Sequence, residues 1–216
     1  MTVYLFVRKW VHNMEDVKIH CDASVEEICK EVNRCSNQIN NIVKHLKTEG
    51  NLYEEQYSGI KQNIYIALKI WCGQTYIGKP KEKHIKKNFQ RFFCNLYEFL
   101  IECGKSNNPI LKSLSNNALF QGTVYRYLGY DEPIENDSEP VEPNFNDIYV
   151  SWSKEKKFGN IFTKLYGTKT LLVCEIKDKY FGIDLEALGI DGDEYEVVFP
   201  TIRETIINIE YQYKKG

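Results

Sequence analysis

The spacing of apolar residues changes near residue 120, and this change constrains the fold more than any other feature of the sequence. Before it, apolar residues recur every three or four positions, which is the period of an amphipathic helix. This spacing predicts four helices, at about 24–43, 53–71, 81–103 and 108–119. After it, short segments rich in β-branched and aromatic residues alternate in polarity, which is typical of strands. Helices followed by strands predict an α+β fold.

We expect the strands of the second half to form a mainly antiparallel sheet system. They are predicted at 122–130, 148–153, 168–177, 179–185, 194–201 and 205–215. A further strand is predicted near 2–11, and the acidic, proline-bearing segment 130–147 is predicted to be a loop. We therefore expect one domain over residues 1–216, with a helical lobe over 1–120 and a β-rich core over 121–216.

Charge and cysteine usage narrow the class of protein. The formal net charge of −2 gives no overall field that would draw the chain to nucleic acid or to an anionic membrane. The seven cysteines form no C-x-x-C pair and lack zinc-ligand spacing to the four histidines, so we expect reduced thiols and no metal. We expect no signal peptide or membrane segment, and hence a cytoplasmic protein. Delivery into another cell would leave the same pattern.

Polar residues interrupt the apolar character of two predicted strands. Arg126 lies on the apolar face of its strand, where a guanidinium needs an anionic partner, either a carboxylate of the protein or a phosphate. Ser151 and Ser153 share one face of the next strand, while Trp152 points to the other. Taken alone, a structural ion pair and a solvated sheet face explain these residues better than a binding site does.

A third polar feature stands at the start of an apolar run, where Glu194 and Glu196 flank Tyr195. Alternation along an extended strand would place both carboxylates on one face. Two carboxylates side by side repel each other, and a developing positive charge would offset that cost. Exposed acids at a strand end are the simpler explanation of this feature alone.

The order of the three features resembles the R-S-E class of mono-ADP-ribosyltransferases. That family has an arginine on the first core strand, then a Ser-Thr-Ser-like strand, then an E-x-E pair that leads into a final strand. Here these are Tyr-Arg at 125–126, Tyr-Val-Ser-Trp-Ser at 149–153 and Glu-Tyr-Glu-Val-Val-Phe-Pro at 194–200. The resemblance covers residues 122–216, and it implies an ADP-ribosyltransferase-like β-sandwich core with the helices as an accompanying lobe.

The resemblance implies that NAD is the substrate and assigns an NAD-binding role to four residues. Arg126 would hold a phosphate, and the backbone of Tyr127 would pair with the nicotinamide amide. Ser151 would contact the nicotinamide ribose and orient the catalytic carboxylate, and Ser153 belongs to the same strand motif. Tyr127 stands where many relatives have glycine, and Trp152 stands where they have a small threonine.

The resemblance also assigns the two glutamates. Glu196 would be the catalytic carboxylate that stabilises the positive charge on the ribose, and Glu194 would face the acceptor. In this family, a glutamate at the first position of E-x-E accompanies arginine-type acceptors. The implied activity is therefore transfer of ADP-ribose to a guanidino group of a protein, as a toxin, an effector or a defence protein, with an inhibitory partner protein as one form of control.

Two other functions stay open at the level of the sequence. One is an ADP-ribosyltransferase that modifies nucleic acid. In that case the basic segment 79–91, including Lys86 and Lys87, would bind the nucleic acid. The same segment, with His84, is also typical of a solvated helix face. The other is a catalytically inactive, β-rich binding module with exposed acids.

Overall fold

The computed structural model describes residues 24–76, 83–128, 140–156, 170–190 and 195–211. The chain divides into two compact units. One comprises residues 1–118 and 185–191, and the other comprises residues 119–184 and 192–216. The first unit contains the described α-helices, and the second contains the described strands and a short 3-10 helix at Arg203–Thr205, so the α+β class predicted from the sequence is confirmed. The short segment 185–191 belongs to the helical unit, which the sequence did not predict.

Four helices form the described part of the first unit. They are α1 (Val25–Glu49), α2 (Glu54–Tyr76), α3 (Lys83–Lys105) and α4 (Pro109–Ala118). Ser24 and Glu27 form a reciprocal capping box at the start of α1, as their spacing predicts. Gly50 ends α1 with φ of 71°, a left-handed conformation that glycine adopts without steric cost.

The helices bury the apolar stripes that their sequences carry. Ile28, Val32, Ile39 and Val43 of α1 are all buried. Trp71 of α2 meets aromatic rings of α3 edge to face, at centroid distances of 5.1 and 4.9 Å. Burial of these side chains is the main force that holds α1, α2 and α3 together.

Among the described residues of the second unit, seven strands form one antiparallel sheet. They are β1 (Leu119–Phe120), β2 (Gly122–Leu128), β3 (Asn146–Ser153), β4 (Thr170–Ile176), β5 (Gly182–Asp184), β6 (Glu196–Thr201) and β7 (Ile206–Tyr211). Their order across the sheet is β1-β5-β6-β3-β2-β4-β7. The strands β6, β3 and β2, which carry the three polar features, are therefore neighbours.

One face of the sheet covers a core of apolar side chains. Val124 of β2, Trp152 of β3, Leu172 of β4 and Val197 of β6 belong to it and are at most 2% exposed. Trp152 lies on this face, opposite to the neighbouring serines, as alternation predicts. Its indole N–H donates a hydrogen bond of 2.9 Å to the carbonyl of Phe199, so its one polar atom is satisfied inside the core.

Several predictions differ from the structure or lie outside its described residues. The strand predicted at 194–201 begins at Glu196, and the short strand β1 was not predicted. Residues 140–145 of the predicted loop have no regular secondary structure. The predicted strand at 2–11 and residues 130–139 of the loop lie outside the described residues. Among the helices of the described residues, none is long and apolar enough to cross a bilayer.

Candidate functional site

Ser151 and Glu196 meet across the neighbouring strands β3 and β6. The register pairs Ser151 with Val198 and Ser153 with Glu196, so Ser151 and Glu196 are diagonal neighbours on one face of the sheet. The hydroxyl of Ser151 donates a hydrogen bond to Oε1 of Glu196. A hydrogen bond to a carboxylate fixes its orientation and stabilises its charged form.

Arg126 joins this pair because β2 and β3 separate. Their ladder contains a single register pair among the described residues, Tyr125 with Ser153. Lys154 donates its N–H to the carbonyl of Tyr195 on the β6 side, so alternation turns the backbone groups of Ser151 toward β2. Nη1 of Arg126 donates a hydrogen bond of 2.5 Å to that Ser151 carbonyl. The guanidinium thus fills the position that a strand amide would occupy in a continuous ladder.

Two opposing effects act on the pKa of Arg126. Protein atoms surround the guanidinium closely, although part of the residue is exposed, and burial lowers its pKa to about 10. The carboxylate of Glu196 opposes this shift. Arg126 therefore stays protonated at neutral pH.

The guanidinium of Arg126 also keeps donors that no described residue uses. The guanidinium has five N–H donors, and the Ser151 carbonyl accepts from Nη1. The donors on Nε and Nη2 have no acceptor among the described residues. Such a fork suits the oxygens of a phosphate.

Tyr127 follows Arg126 on β2 and faces the same gap with its backbone. Tyr125 turns its backbone groups toward β3, so alternation does the same for Tyr127 two positions later, where β3 has already diverged. The phenol of Tyr127 points elsewhere and donates a hydrogen bond of 3.0 Å to the carbonyl of Lys156. The amide and carbonyl of Tyr127 are therefore the part of this residue that faces the gap.

Ser153 lies opposite Glu196, but its hydroxyl serves a local turn. It accepts a hydrogen bond of 3.0 Å from the N–H of Glu155 and is 3.0 Å from the carbonyl of the same residue. This pattern stabilises the turn that follows β3. Ser151 thus contacts the carboxylate, and the Ser153 hydroxyl shapes the end of the strand.

The strand alternation behind the prediction that both glutamates share a face does not extend through Tyr195. Tyr195 has φ of 47°, in the left-handed region, so the extended strand begins only at Glu196. A left-handed conformation is unfavourable for a bulky residue and breaks the period of two. Glu194 itself lies outside the described residues, and its role stays a prediction.

Sequence reasoning missed Lys154 and Asp184, which lie beside the site. Nζ of Lys154 is 3.0 Å from Oδ2 of Asp184, and both side chains are mostly buried, at 22% and 12% exposure. Nζ of Lys154 also lies 5.8 Å from the centroid of the Tyr195 ring. The position of Lys154 directly after the serine motif was the available signal, but only the strand order brings Asp184 near it.

Two described residues of the basic segment, Lys87 and Asn88, line an open cavity of about 490 Å³ together with four residues of α1. Lys86, Lys87 and Arg91 are exposed on α3, and Arg91 donates a hydrogen bond of 2.9 Å to Asn37 of α1. Residues 79–82 and the side chain of His84 lie outside the described residues. In the described part of the chain, no three His, Cys, Asp or Glu side chains form a group that could hold a metal ion.

Comparisons with known proteins add nothing to this geometry: no protein-family model, curated protein or solved structure matches the chain.

Proposed function

We propose that this protein is a mono-ADP-ribosyltransferase that cleaves NAD and transfers ADP-ribose to an arginine-type guanidino group of a protein. The observation that carries the proposal is the contact of Arg126, Ser151 and Glu196. They come from stretches separated by 25 and 45 residues, yet Ser151 contacts both of the others. A cation with spare donors suits a phosphate, and a carboxylate anchored by a hydroxyl suits a developing positive charge.

The cation of the site supports binding of the NAD diphosphate. The remaining N–H donors of Arg126 form a fork that suits two phosphate oxygens. The backbone of Tyr127 offers an amide and a carbonyl beside it, which matches the donor and acceptor of a carboxamide such as that of nicotinamide. Together they would hold NAD with its nicotinamide ribose toward Glu196 and would restrict its conformation before reaction.

The carboxylate of the site supports cleavage of the glycosidic bond. The bond between ribose C1′ and the nicotinamide nitrogen breaks, and its electron pair leaves with neutral nicotinamide. The ribose then carries an oxocarbenium-like positive charge, as in glycoside hydrolysis. Glu196, held by the Ser151 hydroxyl, would stabilise that charge and accept a hydrogen bond from the ribose 2′-hydroxyl.

The acceptor completes the reaction. A guanidino nitrogen attacks C1′ on the side opposite to the departing nicotinamide, forms the new C–N bond and releases one proton to the solvent. Guanidinium is fully protonated near neutral pH, so an anion beside it helps to bind and orient it. We assign that role to Glu194, by its place before Glu196 in the E-x-E pair.

Transfer to agmatine, a small guanidine, tests the proposal directly. The purified protein, NAD and agmatine are incubated, and ADP-ribosyl-agmatine and nicotinamide are measured by mass spectrometry. We expect both products from the wild type and neither from Glu196→Gln. Glu175→Gln is the matched control, because Glu175 is a β4 carboxylate that pairs with the exposed Lys177.

The pattern of products decides among the alternatives. Equal amounts of product from the wild type and Glu196→Gln would contradict the catalytic role assigned to Glu196. Nicotinamide release with transfer to an oligonucleotide instead of agmatine would contradict the guanidino acceptor and support the nucleic-acid alternative. If no product forms and NAD does not raise Tm, the remaining alternative is the catalytically inactive binding module.

A further inference from the structure

We propose that Lys154 is a positioning residue that holds Tyr195 in its left-handed conformation and thereby fixes the start of β6 at Glu196. This inference rests on the proposed function, since Glu196 is its catalytic carboxylate. It assigns a role in NAD cleavage to a residue that lies outside the three polar motifs.

Lys154 holds Tyr195 at two points. Its backbone N–H donates a hydrogen bond of 3.1 Å to the carbonyl of Tyr195. Its ammonium lies 5.8 Å from the centroid of the same residue's ring, within the range of a cation–π contact. One residue thus restrains both the backbone and the side chain of Tyr195.

The ammonium of Lys154 is itself fixed by the end of β5. Oδ2 of Asp184 is 3.0 Å from Nζ, and both groups are mostly removed from water. A mostly buried ion pair is less mobile and less screened than a surface pair. Lys154 therefore connects three chain segments, namely the end of β3, the end of β5 and the residue before β6.

Tyr195 needs such restraint because its backbone is strained. Its φ of 47° is unfavourable for a bulky side chain, and the residue as a whole is 37% exposed. Strained residues persist only where surrounding contacts determine their conformation. If Tyr195 relaxed to an extended conformation, it would lose its contacts with Lys154, and Glu196, as the first residue of β6, would be held less firmly against Ser151.

The experiment compares Lys154→Met with the double variant Lys154→Met, Tyr195→Gly. Methionine keeps the stem of Lys154 but removes the ammonium. We expect kcat for nicotinamide release to fall about 10-fold or more in Lys154→Met, with KM for NAD little changed, because a displaced carboxylate slows the reaction while the NAD-binding residues stay in place. Glycine adopts the left-handed conformation without strain, so adding Tyr195→Gly should restore most of that loss.

Lys177→Met is the matched control. Lys177 also follows the end of a strand directly and pairs with a carboxylate at 2.6 Å, but it is 61% exposed. We expect its kcat to equal that of the wild type. A loss in Lys177→Met as large as that in Lys154→Met would contradict the proposal.

A thermal double-mutant cycle gives a second readout that does not depend on activity. Lys154→Met should lower Tm less in the Tyr195→Gly background than in the wild-type background, because the strained residue is no longer there to be held. An equal decrease in Tm in both backgrounds, or an equal loss of kcat in the single and double variants, would refute the role of Lys154. Neither result would contradict the proposed function. No nicotinamide release from the wild type would refute the proposed function, and the catalytic part of this inference with it.

Discussion

Replacing Ser151 by alanine removes the hydroxyl that donates to Glu196 and leaves the fold of the sheet in place. The residue is half-buried, and its backbone pairing with Val198 does not involve the side chain. A hydrogen bond to a charged group contributes about 1.5–3 kcal/mol. If that contribution is realised in the transition state, where the carboxylate faces the positive ribose, kcat should fall about 10- to 150-fold.

The assay is the initial rate of nicotinamide release from NAD at several NAD concentrations, with Ser151→Ala and Ser153→Ala side by side. Both serines lie on the same face of β3, but the Ser153 hydroxyl bonds to the backbone of Glu155. We expect a clearly smaller loss of kcat in Ser153→Ala. Full activity in Ser151→Ala, or an equal loss in both variants, would refute the role assigned to the Ser151–Glu196 contact.

Four further changes test other parts of the structure. Arg126→Lys keeps the charge but loses the guanidinium fork, so KM for NAD in steady-state assays should rise about tenfold while Tm stays near the wild-type value. Trp152→Phe deletes the indole donor, so the Phe199 carbonyl loses one hydrogen bond inside the sheet core, and denaturant unfolding should give a stability lower by about 0.5–1.5 kcal/mol. Gly182→Ala would place a methyl 2.4 Å from Cγ1 of Val197 and should cost about 1–3 kcal/mol in the same assay. Gly59→Ala, in a helix and with nothing within 4 Å, should instead stabilise the protein by about 0.5–1 kcal/mol, and the opposite order of these two variants would contradict the packing.

Local features of the fold were predictable because their causes are local. The start of α1 follows from the capping box of Ser24 and Glu27, which needs only a spacing of three residues. The outward direction of Ser151 and the inward direction of Trp152 follow from alternation along a strand. These features would be predicted from the same residues in any protein.

The order of the strands was not predictable from local pattern. Nothing in the sequence of β3 states that β6 and β2 will be its neighbours, and only the resemblance led us to expect Arg126, Ser151 and Glu196 together. The divergence of β2 from β3 is likewise a property of the assembled sheet, and it gives Arg126 access to the Ser151 carbonyl.

Tyr195 shows where local rules mislead. An alternating sequence before an apolar run predicts continuous strand, and tyrosine rarely adopts a left-handed conformation. Contacts from distant parts of the chain outweigh that preference, since Lys154 binds both its carbonyl and its ring. The ion pair of Lys154 with Asp184 depends on the same tertiary arrangement, so it too could not be read from the sequence.

The most direct test of the central claim is nicotinamide release from NAD by the wild type, Glu196→Gln and Glu175→Gln, measured without any added acceptor so that water takes the ADP-ribose. The account predicts release by the wild type and by Glu175→Gln, and loss of release in Glu196→Gln while its Tm stays unchanged. Release that is equal in all three proteins, or absent from the wild type, would contradict the assignment of Glu196 and the NAD-cleaving site built around it.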